Sequence, residues 1–245
     1  VAPDLPPAIT KLRRQLLLAQ LLRHFRLGGH YPTQSQAMLL SEMLGQLLDQ
    51  LYNAGASVVA LRDLLPETFS AHWQDILKLL TILTDRWPAI LADEGVIDVV
   101  DRRNRLILLQ AKHWRQTPPN DLIVVAGSTG TIKATRDLIV AVANLPNGHV
   151  VLPGLDRGAI DQWSDIGNDS SHPQYALAEL LAVLKLAPDE VQDWKTLQVA
   201  IPSQMARRQL IREIFRPATL TAAWQRLGDS DILPGQEAIK SLKII

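Results

Sequence analysis

The sequence predicts a helix-rich α/β protein in which a helical subdomain precedes a partial parallel sheet. Three observations lead to this predicted fold class. Apolar residues recur at helical spacing through the first half, the Pro118-Pro119 pair breaks that pattern, and a strand, a glycine turn, a helix and a second strand follow. A strand–helix–strand succession is a βαβ unit and requires parallel strands. We therefore expect a helical subdomain over residues 1–118 and an α/β region over residues 119–245.

Helix signals are strongest between Thr33 and Gly55. The stretch from Thr33 to Gln36 is a capping box, and leucines then follow at steps of three and four until Gly55. A helix before it is expected from about Ile9 to Arg26, ended by Gly28-Gly29. A third should end at Pro88, and its apolar stripe comprises Trp73, Ile76, Leu77, Leu80, Leu83 and Trp87.

A fourth helix should start near Asp98 and reach Trp114 before the proline pair. The α/β region then begins with an apolar run of strand length, Leu122 to Ala126. A helix through Leu138 to Leu145 and a second strand over His149 to Leu152 come next, and we expect their sheet to be buried on both faces. Later helical segments are expected at 175–185, 188–194, 203–215 and 221–227.

Composition narrows the chemistry available. With 245 residues and 47% hydrophobic content the chain can bury a core, and with no cysteine it has no thiolate metal site, disulfide or cysteine nucleophile. The 25 basic and 25 acidic residues cancel, so any contact with nucleic acid must be local. The start of the chain lacks a signal-peptide pattern, and no apolar run approaches the roughly 18 residues of a membrane span. These features predict a cytoplasmic protein without membrane contact.

Both ends of the sequence look like cuts in a longer protein. The chain opens on Val1 rather than on methionine, in a proline-rich lead. It closes on the apolar, β-prone run Ser241 to Ile245, which is typical of a strand whose partners lie elsewhere. We therefore expect an internal piece of a larger protein.

The most conspicuous candidate site is the glycine turn Gly127-Ser128-Thr129-Gly130, between a strand and a helix. Such a loop can present backbone N–H groups to a phosphate. It does not match a P-loop, because Ile132 stands where the second glycine is needed and Lys133-Ala134 follows. Phosphate binding and a purely structural turn both remain open, with the structural turn favoured.

Asp156 follows the second strand, where α/β proteins place working groups. A single carboxylate cannot hold Mg²⁺ in the usual manner of a nucleotide site, so a shaped turn is favoured. The six histidines show no zinc-binding spacing, and no metal site is predicted.

Basic residues cluster on several predicted helices, where a solvated face is the ordinary use of charge. One cluster repeats at a spacing of four, so that Arg208, Arg212 and Arg216 share one side of a helix. Glu213 is the only acid among them and is rotated away from Arg212. This poorly neutralised stripe is the predicted contact with DNA or a partner protein.

Several phrases spread along the chain together resemble the AddB subunit of the bacterial AddAB helicase–nuclease, in its alphaproteobacterial form. The most specific are the Gly127 to Gly130 loop and the run from Val150 to Asp156, in that order. The others are Ala71-His72-Trp73-Gln74, Trp87-Pro88, Asp101-Arg102-Arg103-Asn104, His172-Pro173-Gln174-Tyr175, and Arg216-Pro217-Ala218 with Trp224.

The resemblance implies a part of the N-terminal region of such a subunit, shaped like a superfamily 1 helicase with a P-loop-NTPase-like sheet that has lost its motor. It implies a role in double-strand break repair, with DNA and an AddA-like helicase subunit as partners. ATP, Mg²⁺ and an Fe–S cluster would belong elsewhere in the parent complex, so no cofactor is expected in this chain.

The residues agree with a motor that no longer hydrolyses ATP. In an active superfamily 1 helicase the corresponding strand ends in Asp-Glu, which holds Mg²⁺. Here the strand from Leu122 to Ala126 is followed by glycine and hydroxyl residues. Ala159 stands where a Gln would follow Asp156 as a phosphate sensor. The residues from Gly127 to Gly130 and Asp156 would then be remnants of a nucleotide site, with no catalytic residue among them. A nucleotide-binding α/β domain that uses this loop is the alternative.

Overall fold

The computed structural model describes residues 4–26, 30–56, 82–193 and 202–226. Their contacts divide the chain into two compact units. Unit 1 is residues 1–124 with 131–149, and unit 2 is residues 125–130 with 150–245. Residues 119–124 and 131–149 therefore belong to unit 1, together with the helices that precede them. The predicted Gly28-Gly29 stop, the stripe from Trp73 to Leu80 and the strand at Ser241 to Ile245 lie outside the described residues.

Unit 1 begins with two helices, α1 (Lys11–Leu22) and α2 (Gln34–Ala54). Thr10 caps α1 through its side chain, and the predicted capping box of α2 is confirmed, because Thr33 and Gln36 each accept the other's backbone N–H. Gly55 ends α2 in the left-handed conformation at φ 62°, which glycine adopts without steric cost.

The prediction that the third helix ends at Pro88 is wrong. A π-helical stretch, Ile82–Arg86, leads into α3 (Trp87–Asp93), and Pro88 stands in the first turn of α3. A proline is tolerated there because the first N–H groups of a helix have no partner within it. Helix α4 (Val99–Gln116) is confirmed, with Asp98 as its cap.

A hydrophobic core joins α1, α2 and α3. Its largest fully buried side chain is Trp87, and leucines from α1 and α2 surround it; the buried members are Ile9, Leu18, Ala19, Leu22, Ala37, Leu44, Leu48, Leu51, Ile82, Trp87 and Leu91. The lead before α1 is held by a parallel bridge between Ala8 and Ile97. The start of the chain and the loop between α3 and α4 are thereby fixed together.

Strands β1 (Ile123–Ala126) and β2 (Gly148–Val151) pair in parallel on either side of α5 (Lys133–Ala143), which confirms the predicted βαβ unit. The expectation that the sheet is buried on both faces is wrong. Val124 is 50% exposed and Ala126 is exposed beside it, so one face of β1 is open. The described sheet has two strands, too few to be enclosed as a larger parallel sheet is.

The rest of unit 2 is built from short helical pieces. They are a 3₁₀ turn at Arg157–Gln162, α6 (Trp163–Ile166), α7 (Tyr175–Leu184), a 3₁₀ turn at Pro188–Glu190, α8 (Pro202–Ile214) and a 3₁₀ segment at Ala218–Arg226. Helices α7 and α8 match the predicted segments. The segment expected from Pro188 is only a single 3₁₀ turn in its described part, and the last predicted helix is a 3₁₀ segment.

Arg14 of α1 links three elements of unit 1. Its Nε donates to Asp98 Oδ2 at 2.9 Å, and its Nη2 donates to Asp49 Oδ1 at 2.8 Å and to the carbonyl of Gly45 at 3.2 Å. The Asp98 side chain is fully buried, and this burial raises its pKa although Arg14 and the Val100 N–H lower it. A buried carboxylate therefore fixes the start of α4 against α1.

We predict that Asp98→Ala lowers the free energy of unfolding by about 2 to 4 kcal/mol, because it leaves a buried guanidinium short of one partner and removes the cap of α4. The matched control is Asp49→Ala, whose side chain is 37% exposed and should cost under about 1 kcal/mol. Urea unfolding of the two variants measures the difference. Equal losses would show that Asp98 is not the critical partner.

Candidate functional site

The candidate site lies in unit 2, where the loops that follow β1 and β2 leave the sheet. Parallel strands place their carboxyl ends at one edge, and binding sites of α/β proteins are found there. The first loop is Gly127 to Gly130, and the second contains Gly154 and Asp156. Each loop bends at glycines with positive φ: 76° at Gly127, 70° at Gly130 and 60° at Gly154.

The first loop uses its backbone groups internally. The N–H of Gly127 donates to the carbonyl of Val151 at 3.0 Å and so continues the pairing of the two strands. The N–H of Gly130 donates to the hydroxyl of Ser128 at 3.3 Å. Thr129 is half-buried between them. Two of the N–H groups that a phosphate would need are therefore already engaged, and this arrangement favours the structural turn.

Asp156 is held by a bidentate ion pair with Arg212 of α8. Arg212 Nη2 lies 2.6 Å from Oδ1 and Arg212 Nε lies 2.8 Å from Oδ2. The N–H of Gly158 also donates to Oδ1, at 3.1 Å. Both carboxylate oxygens thus have cationic partners in the fork geometry that arginine provides. This pairing opposes both protonation of the Asp156 carboxylate and its coordination of a cation.

The charge of Asp156 reflects this pairing. Burial raises the pKa of its carboxyl, but the hydrogen bond and charge of Arg212, the Gly158 N–H and the charge of Arg208 lower it further, and the net pKa is below the usual value. The pKa of Arg212 is raised in turn by its hydrogen bond to Asp156. The pair is fully ionised at neutral pH.

Gln174 holds the second loop through two hydrogen bonds, although nothing in the sequence marks it as a site residue. Its Oε1 accepts the N–H of Asp156 at 3.2 Å, and its Nε2 donates to the carbonyl of Gly154 at 3.1 Å. The preceding His172 accepts the backbone N–H of Gln174 on Nδ1 at 3.0 Å. The phrase from His172 to Tyr175 stood out only through the resemblance. An amide 18 residues from its partner leaves no spacing signal.

The predicted arginine stripe is only partly a free cationic surface. Arg212 pairs with Asp156, and Arg216, two residues beyond the end of α8, pairs with Glu213 of that helix through two hydrogen bonds of 2.9 and 2.7 Å. The expectation that Glu213 leaves the stripe unneutralised is wrong, because a spacing of three lets it meet Arg216. Arg208 is the one exposed member of the three. The structure therefore brings together Asp156 and Arg212, which the sequence analysis had assigned to separate sites.

No group of three or more His, Asp or Glu side chains that could hold a metal ion occurs within residues 4–26, 30–56, 82–193 and 202–226. In the same ranges no helix is both long and apolar enough to cross a membrane. Comparison with known proteins identified no matching family model, no matching curated protein and no matching solved structure.

The Asp156–Arg212 pair generates a pH prediction. A carboxyl whose pKa is lowered by folding contributes stability above its unfolded value of about 3.9, and this contribution is lost as the pH falls through the lowered pKa. Asp156→Asn should therefore lower the thermal midpoint at pH 7, and the difference from wild type should shrink below about pH 4. Thermal unfolding at several pH values measures it. The control is Asp161→Asn, an exposed position that should show little difference at any pH. A constant difference for Asp156→Asn would contradict the assignment.

Gly158 provides a second test, because a Cβ there would lie 2.0 Å from Arg212 Nη2. Gly158→Ala must displace the guanidinium and should lower the free energy of unfolding by about 1 kcal/mol, as expected for a lost charge-assisted pair that is partly exposed. Gly167→Ala is the matched control, since its Cβ would make only ordinary contacts at 3.5 Å or more. Combining Gly158→Ala with Asp156→Asn should add little further loss. Fully additive losses in urea unfolding would disprove the coupling.

Proposed function

We propose that the chain is a non-catalytic, helicase-like scaffold from a DNA double-strand break repair subunit of the AddB type. In this role it guides DNA and docks an AddA-like motor subunit during unwinding and resection of a DNA end. The proposal starts from the resemblance of the Gly127 to Gly130 loop and the Val150 to Asp156 run, in that order, to AddB proteins. The βαβ unit that joins these two runs is the part of the fold on which a helicase-like sheet would be built.

The single observation that supports a non-catalytic role most strongly is the bidentate pairing of Asp156 with Arg212. A working site would need that carboxylate free to act on a metal ion or on phosphate, whereas here it anchors α8. The N–H groups of Gly127 and Gly130 are engaged as well. A nucleotide would have to break these contacts before it could bind.

The rival function is a nucleotide-binding domain that uses the Gly127 to Gly130 loop. Its favourable feature is open space beside Gly127 and Gly154, where an added Cβ would meet nothing within 4 Å. A close approach of phosphate to backbone needs such space. The third possibility is a structural adaptor that never contacts DNA.

We expect isothermal titration calorimetry with ATP and Mg²⁺ to give no binding heat. A dissociation constant in the micromolar range would overturn the non-catalytic assignment and favour the rival. The matched variant is Gly127→Ala, which strains a left-handed backbone position and should abolish any nucleotide binding that uses this loop.

We also expect a fluorescent single-stranded oligonucleotide to bind the chain with an affinity that falls steeply as salt rises, because phosphate contacts release counterions. Fluorescence anisotropy from low to physiological salt measures the slope. An absence of binding at low salt would favour the structural adaptor.

A further inference from the structure

Helix α4 carries more exposed positive charge than any other helix described in unit 1. Its 18 residues include five arginines or lysines and one acid, Asp101. Four of these cations are exposed, and three of the four share one side of the helix: Arg105, Lys112 and Arg115. With 3.6 residues per turn they fall within an arc of about 80° and extend about 15 Å along the helix. Leu108 and Leu109, which are 41% and 40% exposed, lie on the same side.

We call these five residues the α4 cationic face: Arg105, Leu108, Leu109, Lys112 and Arg115. Asp101 is the only acid of α4, and it pairs with Arg105 at 2.8 Å. Arg115 donates to a neutral acceptor, the backbone carbonyl of Asp137, at 2.9 Å, so its charge is not cancelled by this bond. Lys112 makes no hydrogen bond or ion pair within the part of the chain that the structure describes.

The α4 cationic face differs from the predicted arginine stripe in how many of its cations are paired with carboxylates. Arg212 of α8 and Arg216 just beyond its end each face a carboxylate with two hydrogen bonds, which leaves Arg208 as the exposed member of that set. On the α4 cationic face, two of three cations have no carboxylate partner. A surface that attracts anions must keep its charge uncompensated, and α4 meets that condition better than the stripe singled out by spacing.

From this we infer that the α4 cationic face binds the backbone of a single-stranded nucleic acid. The cations take successive phosphates, and arginine can grip phosphate oxygens with its planar fork. The two leucines decide between the forms of nucleic acid. A duplex presents sugar and phosphate to a flat helix face, whereas a single strand offers unpaired bases whose apolar faces can cover Leu108 and Leu109. This inference rests on the proposed role in guiding DNA and names the surface that would do so.

The test is anisotropy with a labelled oligonucleotide on the full 245-residue chain. The triple variant Arg105→Gln, Lys112→Gln and Arg115→Gln should weaken binding at least about tenfold at low salt and make the salt slope shallower by about 2, since each lost phosphate contact to a single strand removes about 0.7. The control is Lys11→Gln, Arg13→Gln and Arg23→Gln, which removes the same charge from exposed positions in α1 and directly after it. It should weaken binding far less.

Lys112→Glu keeps the test decisive if the triple variant is poorly folded, because Lys112 has no hydrogen bond or ion pair to lose among the described residues and circular dichroism should remain unchanged. It should weaken binding by about threefold or more through charge reversal. Leu108→Ser with Leu109→Ser should weaken binding to the single strand without changing the salt slope or binding to a duplex. Equal loss for the duplex would overturn the single-strand assignment.

The outcomes separate the two proposals. If wild type binds the oligonucleotide with a salt slope and the α4 triple variant matches the α1 control, the inference is wrong and the proposed function stands. If wild type does not bind at all, both fail. Polyglutamate is the probe for an acidic polypeptide partner. If the same α4 variants lose binding to polyglutamate but keep binding to the oligonucleotide, the assignment to nucleic acid is overturned.

Discussion

The guanidinium of Arg14 is the point on which the arrangement of unit 1 depends. Its donors reach the buried carboxylate that caps α4, a partly exposed carboxylate of α2 and the carbonyl of Gly45. A buried ion pair is costly to form but still more costly to leave half-made, so it favours one packing over similar alternatives. Gly45 lies at ordinary contact distance from the guanidinium, since an added Cβ would be 3.5 Å from Arg14 Nη1 and 4.0 Å from Leu18. Arg14 thereby helps to set the position of α4, and with it the orientation of the α4 cationic face.

Unit 2 uses the same device for a different purpose. Arg212 ties a helix to the turn after β2, and Gln174 holds that turn from the other side. In both units an arginine on a helix finds a carboxylate at the start or end of another element, where the backbone changes direction. The two ion pairs differ in their exposure to solvent, because the side chain of Asp98 is fully buried whereas that of Asp156 is 25% exposed. The same chemistry therefore serves as a core contact in one unit and as a surface anchor in the other.

Local signals in the sequence predicted local structure well. The capping box at Thr33, the cap at Asp98 and the βαβ order were all visible, because each depends on residues within a few positions of one another. Contacts between distant residues were not visible. Spacing placed three arginines on one side of a predicted helix, although Arg216 lies beyond the end of α8, and nothing in the spacing indicated that Asp156, 56 residues earlier, would pair with Arg212. Pro88 was misinterpreted for a related reason, since a proline ends one helix or begins another according to how the chain before it packs.

The two anchoring carboxylates respond to acid in opposite ways. Burial raises the pKa of Asp98, so the cost of keeping it charged in the folded state is relieved at low pH and is fully borne once the pH exceeds the raised pKa. The pKa of Asp156 is lowered, so its contribution disappears as the pH falls. Acid therefore weakens the attachment of α8 while it eases a strain beneath α4. These opposite directions favour loss of the α8 contact before the α4 contact as the pH falls, and protease sites in α8 should become accessible in acid before those in α4.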